Sequence, residues 1–146
     1  MGIAEFYPLL TEHTEGESLR KRERMEIILK EAAEQSERGQ IPILGPELSL
    51  KDILHSGWPV GLEATQTLMA HSTRESISTL SELLKKTPLQ MSASLNLLIG
   101  PEGGFSSSEI RQAQENGTKL LRMSDEILKT DTAFILAVGL FRLMYS

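Results

Sequence analysis

Apolar and polar positions follow two different rhythms along this chain, and the rhythm switches several times. Ile3 to Leu10 is dense in bulky apolar side chains and reads as a strand. From Ser18 the spacing lengthens, and Met25, Ile28, Leu29, Ala32 and Ala33 recur at helical intervals with Arg, Glu and Lys between them. That pattern predicts a one-sided helix running to about Arg38, stopped by Gly39. "IPIL", Ile41 to Leu44, is a short strand candidate, "SLKDILHS" a brief helix, and "GWPVG" a connection punctuated by Gly and Pro. Thr65 to Ala70 reads as another strand. The Ser-rich "STRESISTLSELLKK" then sets Ile77, Leu80, Leu83 and Leu84 at helical spacing, and Leu95 to Ile99 is an apolar run of strand length. A final helix from Asp131 to Met144 is apolar nearly all round between Ala133 and Phe141, so it must be buried on several sides. Strand and helix alternate, which predicts an α/β fold with a mostly parallel sheet and helices on both faces.

The most constrained backbone lies in "LLIGPEGGFSSSEI", Leu97 to Ile110. A strand that ends in Gly-Pro-Glu-Gly-Gly and gives way to a helix stands at the carboxyl edge of a parallel sheet, where open α/β folds place their ligands. Ser106 and Glu109 have the spacing of a capping box and mark where the helix begins. Glycines let main chain approach a ligand closely, and Gly103 or Gly104 is a candidate for positive φ. A tight turn that only closes a connection is an equally simple reading of the same composition. Familiar phosphate loops do not fit: the Gly-Lys-Ser/Thr ending of a Walker loop and the G-x-G-x-x-G fingerprint are both absent. With Glu102 at its centre and no lysine, the loop suits a neutral or cationic small molecule better than an anion.

Composition narrows the field. At 146 residues and 40% apolar content the chain is of a size for one domain, taken as 1–146. The formal charge of −5 gives no overall bias toward nucleic acid, so any polyanion must meet a local basic patch. Cysteine is absent, which excludes disulfides, thiolate metal sites and a cysteine nucleophile. His13, His55 and His71 are far apart in sequence with no metal-ligand spacing, and no metal is expected. No apolar leader opens the sequence, and no apolar run reaches the ~20 residues of a membrane span. The expectation is a cytoplasmic protein with no membrane partner.

"LLIGPEGGFSSSEI", followed by "LLRMSDEILKTDTA", resembles the signature pair of the ribosomal RNA uridine N3-methyltransferases, a SPOUT-superfamily group that acts on small-subunit (16S) rRNA. Upstream, "EAAEQSERGQIP" is similar to the Ala-Ala-x-Gln-Ser-x-Arg stretch of the same family and its following proline. Three segments in the family's order thus span nearly the whole chain. The resemblance implies a SPOUT-type α/β knot with a deep trefoil knot at the C-terminal end, a homodimer, and S-adenosylmethionine held in the knotted loops. Knots are otherwise nearly absent from proteins, and no periodicity predicts one. Carried over residue by residue, the cofactor-binding positions are Ala70 and His71, then Ile99, Gly100, Pro101, Glu102, Gly103 and Gly104, then Met123, Ser124, Ile127, Leu128 and Thr130.

Transfer of a methyl group to a uridine nitrogen requires alignment of donor and acceptor and loss of the N3 proton, without a covalent adduct. Arg38, with Gln35 one turn before it, is the candidate for holding the uracil or its neighbouring phosphate, since a guanidinium pairs well with a developing oxyanion. Arg38 serving only its helix C-terminus is the structural alternative. The basic cluster Arg20, Lys21, Arg22 and Arg24 is interrupted by Glu23 and followed by Glu26, which favours a solvated helix face over an RNA surface. Trp58 beside Pro59 reads as packing.

The chain departs from the family pattern in places. Met123-Ser124 stands where Leu-Gly is usual, and Glu126, Lys129 and Asp131 alter the charges that follow. Lys129 keeps a positive charge without the planar fork of arginine. The match also sets Met1 inside the usual catalytic domain, so the expectation is a chain without the family's N-terminal RNA-binding barrel and with the start of the catalytic domain truncated. A second reading therefore stands beside the enzyme: a SPOUT domain that dimerises and binds S-adenosylmethionine without methylating.

Overall fold

The computed structural model describes residues 5–14, 18–35, 43–71, 78–79 and 94–122. In chain order the elements are β1 (Glu5–Phe6), β2 (Leu9–Leu10), α1 (Ser18–Gln35), β3 (Ile43–Leu44), β4 (Leu48–Ser49), α2 (Leu50–Ser56), β5 (Gln66–Ala70), β6 (Ser78–Thr79), β7 (Leu95–Leu98), α3 (Ser107–Glu115) and β8 (Lys119–Arg122). Among the described residues every strand pair is parallel. The four-stranded sheet runs in the order β6, β8, β5, β7. The α/β class with a parallel sheet is therefore as expected. The final helix and the C-terminal knot fall outside the described residues.

Register explains how β5 is buried on both sides. Leu68 pairs with Leu97 and Met69 with Leu98, while on the other side Met69 pairs with Leu120 and Ala70 with Leu121. Successive side chains point to opposite faces. Met69, Leu98 and Leu120 therefore meet Leu50 and Leu54 of α2 and Phe105 and Ala113 around α3 on one face. Leu68 and Leu121 pack with Leu95 and Leu97 on the other. A strand covered on both faces reads as a continuous apolar run, and the Leu-Met pair in β5 has that form.

Caps set the helix ends. Ser49 Oγ accepts the Asp52 N–H at 3.2 Å at the start of α2, and Gly57, with φ +89°, closes its end by donating to the Ile53 carbonyl at 2.9 Å. Asn116 Nδ2 donates at 2.9 Å to the Leu54 carbonyl, which fastens the end of α3 to α2. Trp58 packs half-buried against the same core, as its sequence context predicts.

The strand expected from Ile3 to Leu10 is interrupted. Glu5 and Phe6 pair with Ile43 and Leu44, but Leu9 and Leu10 pair with Leu48 and Ser49, so the partner segment carries one more residue: a bulge. Gly45 donates to the Phe6 carbonyl at 2.7 Å and Leu48 to the Pro8 carbonyl at 2.9 Å on either side of it. The Tyr7 ring lies where a Cβ on residue 45 would stand, so any larger residue there must displace the ring. From α1, Arg22 donates at 2.7 Å to the Gly45 carbonyl and at 2.9 Å to that of Leu44, and pairs with Glu26 at 3.2 Å. Arg22 is thus a clamp on the bulge rather than part of a purely solvated face. A second difference concerns Ser78–Thr79, expected within a helix. It is a strand paired with Leu121 and Arg122 of β8, because tertiary pairing overrides the weak helix preference of Ser and Thr.

Candidate functional site

Parallel strands end on one edge, and register sets which residues meet there. Met69 opposite Leu98 brings Ala70 and His71 beside Ile99 and Gly100, and Ala70 opposite Leu121 brings them beside Arg122. The His71 N–H donates to the Leu121 carbonyl at 3.0 Å, extending the ladder past the end of β5. From β5 the chain passes to β6 on one side of it in the sheet and then to β7 on the other. Such a reversal leaves a crevice at the carboxyl ends of the strands, the usual place for a ligand in an open α/β sheet.

The loop after β7 is built from its glycines. Gly104 donates to the Pro101 carbonyl at 2.8 Å and closes the turn Pro101 to Gly104. Its φ of +68° is left-handed, and a Cβ there would meet nothing within 4 Å among the described residues. Gly100 sits differently: a Cβ would stand 3.1 Å from the ring of Phe105 and 3.3 Å from the main chain of Gly104. Phe105 is buried in the core, so the loop folds back against a fixed wall. The outcome is exposed main chain at Gly103, closed on one side by His13, and a half-buried Gly104 with open space where its Cβ would stand, on a rigid base.

The helix after the loop is pinned. Ser106 Oγ accepts the Glu109 N–H at 3.1 Å and Glu109 Oε2 accepts the Ser106 N–H at 2.8 Å, the capping box its sequence predicts. Glu109 is only 5% exposed, yet its carboxylate is satisfied. Its other oxygen accepts the Glu12 N–H at 2.9 Å, and the positive end of the helix dipole favours the charge there. Beside Glu12, His13 Nδ1 lies 3.1 Å from the carbonyls of both Gly103 and Gly104. These two contacts escape a sequence reading, since they join residues about ninety positions apart. The only local hint is the regular "TEHT" turn in which both residues sit.

The electrostatics are mild. No lysine or arginine lies between Ile99 and Gly104, and Glu102 is exposed. Burial pushes the His71 imidazole below its ordinary 6.5, which keeps it neutral at neutral pH. Among the described residues no three His, Asp or Glu side chains come together as metal ligands.

The structure thus brings Ala70, His71, Ile99, Gly100, Pro101, Glu102, Gly103 and Gly104 to one edge of the sheet. Met123, Ser124, Ile127, Leu128 and Thr130 lie outside the described residues, though β8 delivers the chain to that edge at Arg122. Gln35 is the last residue of α1; its side chain, and Arg38 altogether, lie outside the described residues.

Comparison with known proteins agrees with this architecture. The chain is 34% identical over 140 residues to a ribosomal RNA small subunit methyltransferase E of Synechocystis, covering 95% of this chain and 44% of that protein. It is 29% identical over 147 residues to the protein of the same name in Rickettsia conorii, covering 100% of this chain and 56% of the relative. A Legionella pneumophila structure with the cofactor SAM bound superposes with a TM-score of 0.75 at 28% identity, over 96% of this chain and 55% of that one. The chain spans about half the length of the relatives it matches. A family model described as the RNA methyltransferase domain matches residues 1–142, and the chain belongs to that family.

Proposed function

We propose that this domain binds S-adenosylmethionine at the carboxyl edge of its parallel sheet and methylates N3 of a uridine in small-subunit (16S) ribosomal RNA. The observation that carries the reading is the convergence of Ala70 and His71 with the Gly100 to Gly104 loop on one edge, where β8 also ends. Support comes from the SAM-bound Legionella structure and from relatives named as small-subunit rRNA methyltransferases.

The residues fit such a cofactor. Open space where a Cβ would stand at Gly104 leaves room for a small molecule to lie against the loop. The absence of lysine and arginine from the loop suits a sulfonium cation. When bound, S-adenosylmethionine supplies an electrophilic methyl group. Ala70, His71 and the Ile99 to Gly104 loop hold it, and Met123, Ser124, Ile127, Leu128 and Thr130 complete the cradle from the segment after β8. Gln35 and Arg38 orient the uracil. A guanidinium there stabilises the exocyclic carbonyl oxygen that gains charge as N3 loses its proton. In the same reading the C-terminal segment threads as a trefoil knot, and two copies pair as a homodimer.

Calorimetric titration with S-adenosylmethionine and with ATP tests the cofactor. Tighter binding of S-adenosylmethionine is expected, and tighter binding of ATP overturns it. For the reaction, mass spectrometry of small-subunit rRNA from cells with and without the gene should show N3-methyluridine lost with the gene. An unchanged signal ends the enzyme reading.

A further inference from the structure

The turn after β2 is rigid for reasons of its own. Thr14 Oγ1 accepts the Thr11 N–H at 2.8 Å, lies 3.0 Å from Thr11 Oγ1, and the Thr14 N–H donates to the Thr11 carbonyl at 3.1 Å. This self-closed turn presents two groups to the candidate site. The Glu12 N–H is taken by Glu109, and the His13 ring meets the carbonyls of Gly103 and Gly104, each at 3.1 Å. Carbonyl oxygens only accept, so Nδ1 must carry the proton. Gly103 also leaves room for this approach, since a Cβ there would stand 3.2 Å from the His13 Cβ.

We propose that His13 is a positioning residue of the cofactor loop, its Nδ1–H holding the Gly103 and Gly104 carbonyls so that the loop is set before S-adenosylmethionine arrives. This rests on the reading of that loop as the cofactor site. Two consecutive glycines have the widest choice of backbone conformations of any pair, and an unrestrained loop would lose that freedom on binding. A donor shared by both carbonyls removes the freedom beforehand, which is how preorganisation raises affinity. The Glu12 to Glu109 bond comes from the same turn but does not use the imidazole. Loss of the ring therefore leaves the turn docked and isolates its effect on the loop.

The test uses calorimetric affinity for S-adenosylmethionine in the parent, His13→Leu and His13→Asn, with a ¹⁵N spectrum of the parent imidazole at mildly alkaline pH. Asn sets an amide donor close to where Nδ1 stands, whereas Leu keeps the bulk and no donor. Leu is expected to weaken binding roughly fivefold to tenfold and Asn to restore most of it, in line with the worth of one or two hydrogen bonds. The spectrum should show the proton on Nδ1 rather than Nε2. Parent-like affinity in His13→Leu, failure of Asn to restore binding, or a proton on Nε2 alone overturns the proposal. A parent that binds no S-adenosylmethionine defeats the reading of the site itself, and the spectrum then still reports whether the His13 contact exists.

Discussion

Glu109 accepts the main-chain N–H of Glu12 at 2.9 Å, so the turn after β2 is anchored on the first turn of α3. The same carboxylate accepts the Ser106 N–H with its second oxygen at 2.8 Å. Both oxygens act as acceptors, and an amide has only one acceptor oxygen. Glu109→Gln should therefore set an NH₂ against an N–H and cost about 1 kcal/mol, and Glu109→Ala, which loses both side-chain bonds but keeps the bond from its own N–H to Ser106 Oγ, about 2 kcal/mol. Denaturant unfolding of the two variants measures this, and equal stability of Gln and parent would contradict it.

Gly104 and Gly100 are glycines for different reasons, and alanine separates them. At Gly104 the φ of +68° costs an L-residue about 1 kcal/mol while the space beside it is open. At Gly100 the new methyl would stand 3.1 Å from the Phe105 ring, which must then shift within a packed core. Gly100→Ala should alter the near-ultraviolet or NMR signature of Phe105, and Gly104→Ala should leave it as it was. A Phe105 signal unmoved by the Gly100 variant would count against the fold of this loop.

Tyr7 occupies the place of a Cβ at Gly45. Its hydroxyl donates to Glu5 at 2.6 Å, and that bond, with the nearby negative charge, pushes the phenol above its ordinary value. Gly45→Ala should cost about 1 to 3 kcal/mol through overpacking, and less when Tyr7 is also replaced by Ala. A double-mutant cycle measures the difference. Additive effects would mean that the ring and the bulge do not meet.

His71 links stability to pH. Its folded value is lowered by burial, so between the ordinary 6.5 and that lower value the unfolded chain binds a proton that the folded chain refuses. The contribution of neutral His71 is thus full above 6.5 and is lost as pH falls through this window. His71→Gln, which cannot take up a proton, should flatten that part of the stability profile. A profile of unchanged slope in the variant would assign the effect to other groups.

Local patterns carried much of this architecture. The one-sided spacing of Met25 and Leu29 indicates α1, and the Ser106 and Glu109 pair marks the start of α3, because caps and helical faces depend on residues three or four apart. β8 was not legible: "KLLR" is too short to show a period, and its identity as a strand comes from partners on both sides. The strand at Ser78–Thr79 is another product of that pairing.

By itself the sequence determined the alternation of strand and helix, the glycine loop after Leu98, and the family resemblance those segments carry. Tertiary structure alone decided that β8 lies between β5 and β6, that Arg22 clamps the carbonyls at Gly45, and that Glu12 and His13 reach Glu109 and the two loop glycines. The physical reason is distance along the chain. A turn or cap is specified by neighbours that are already close, whereas a bond across 97 residues forms only once strand register and core packing have brought its two ends together.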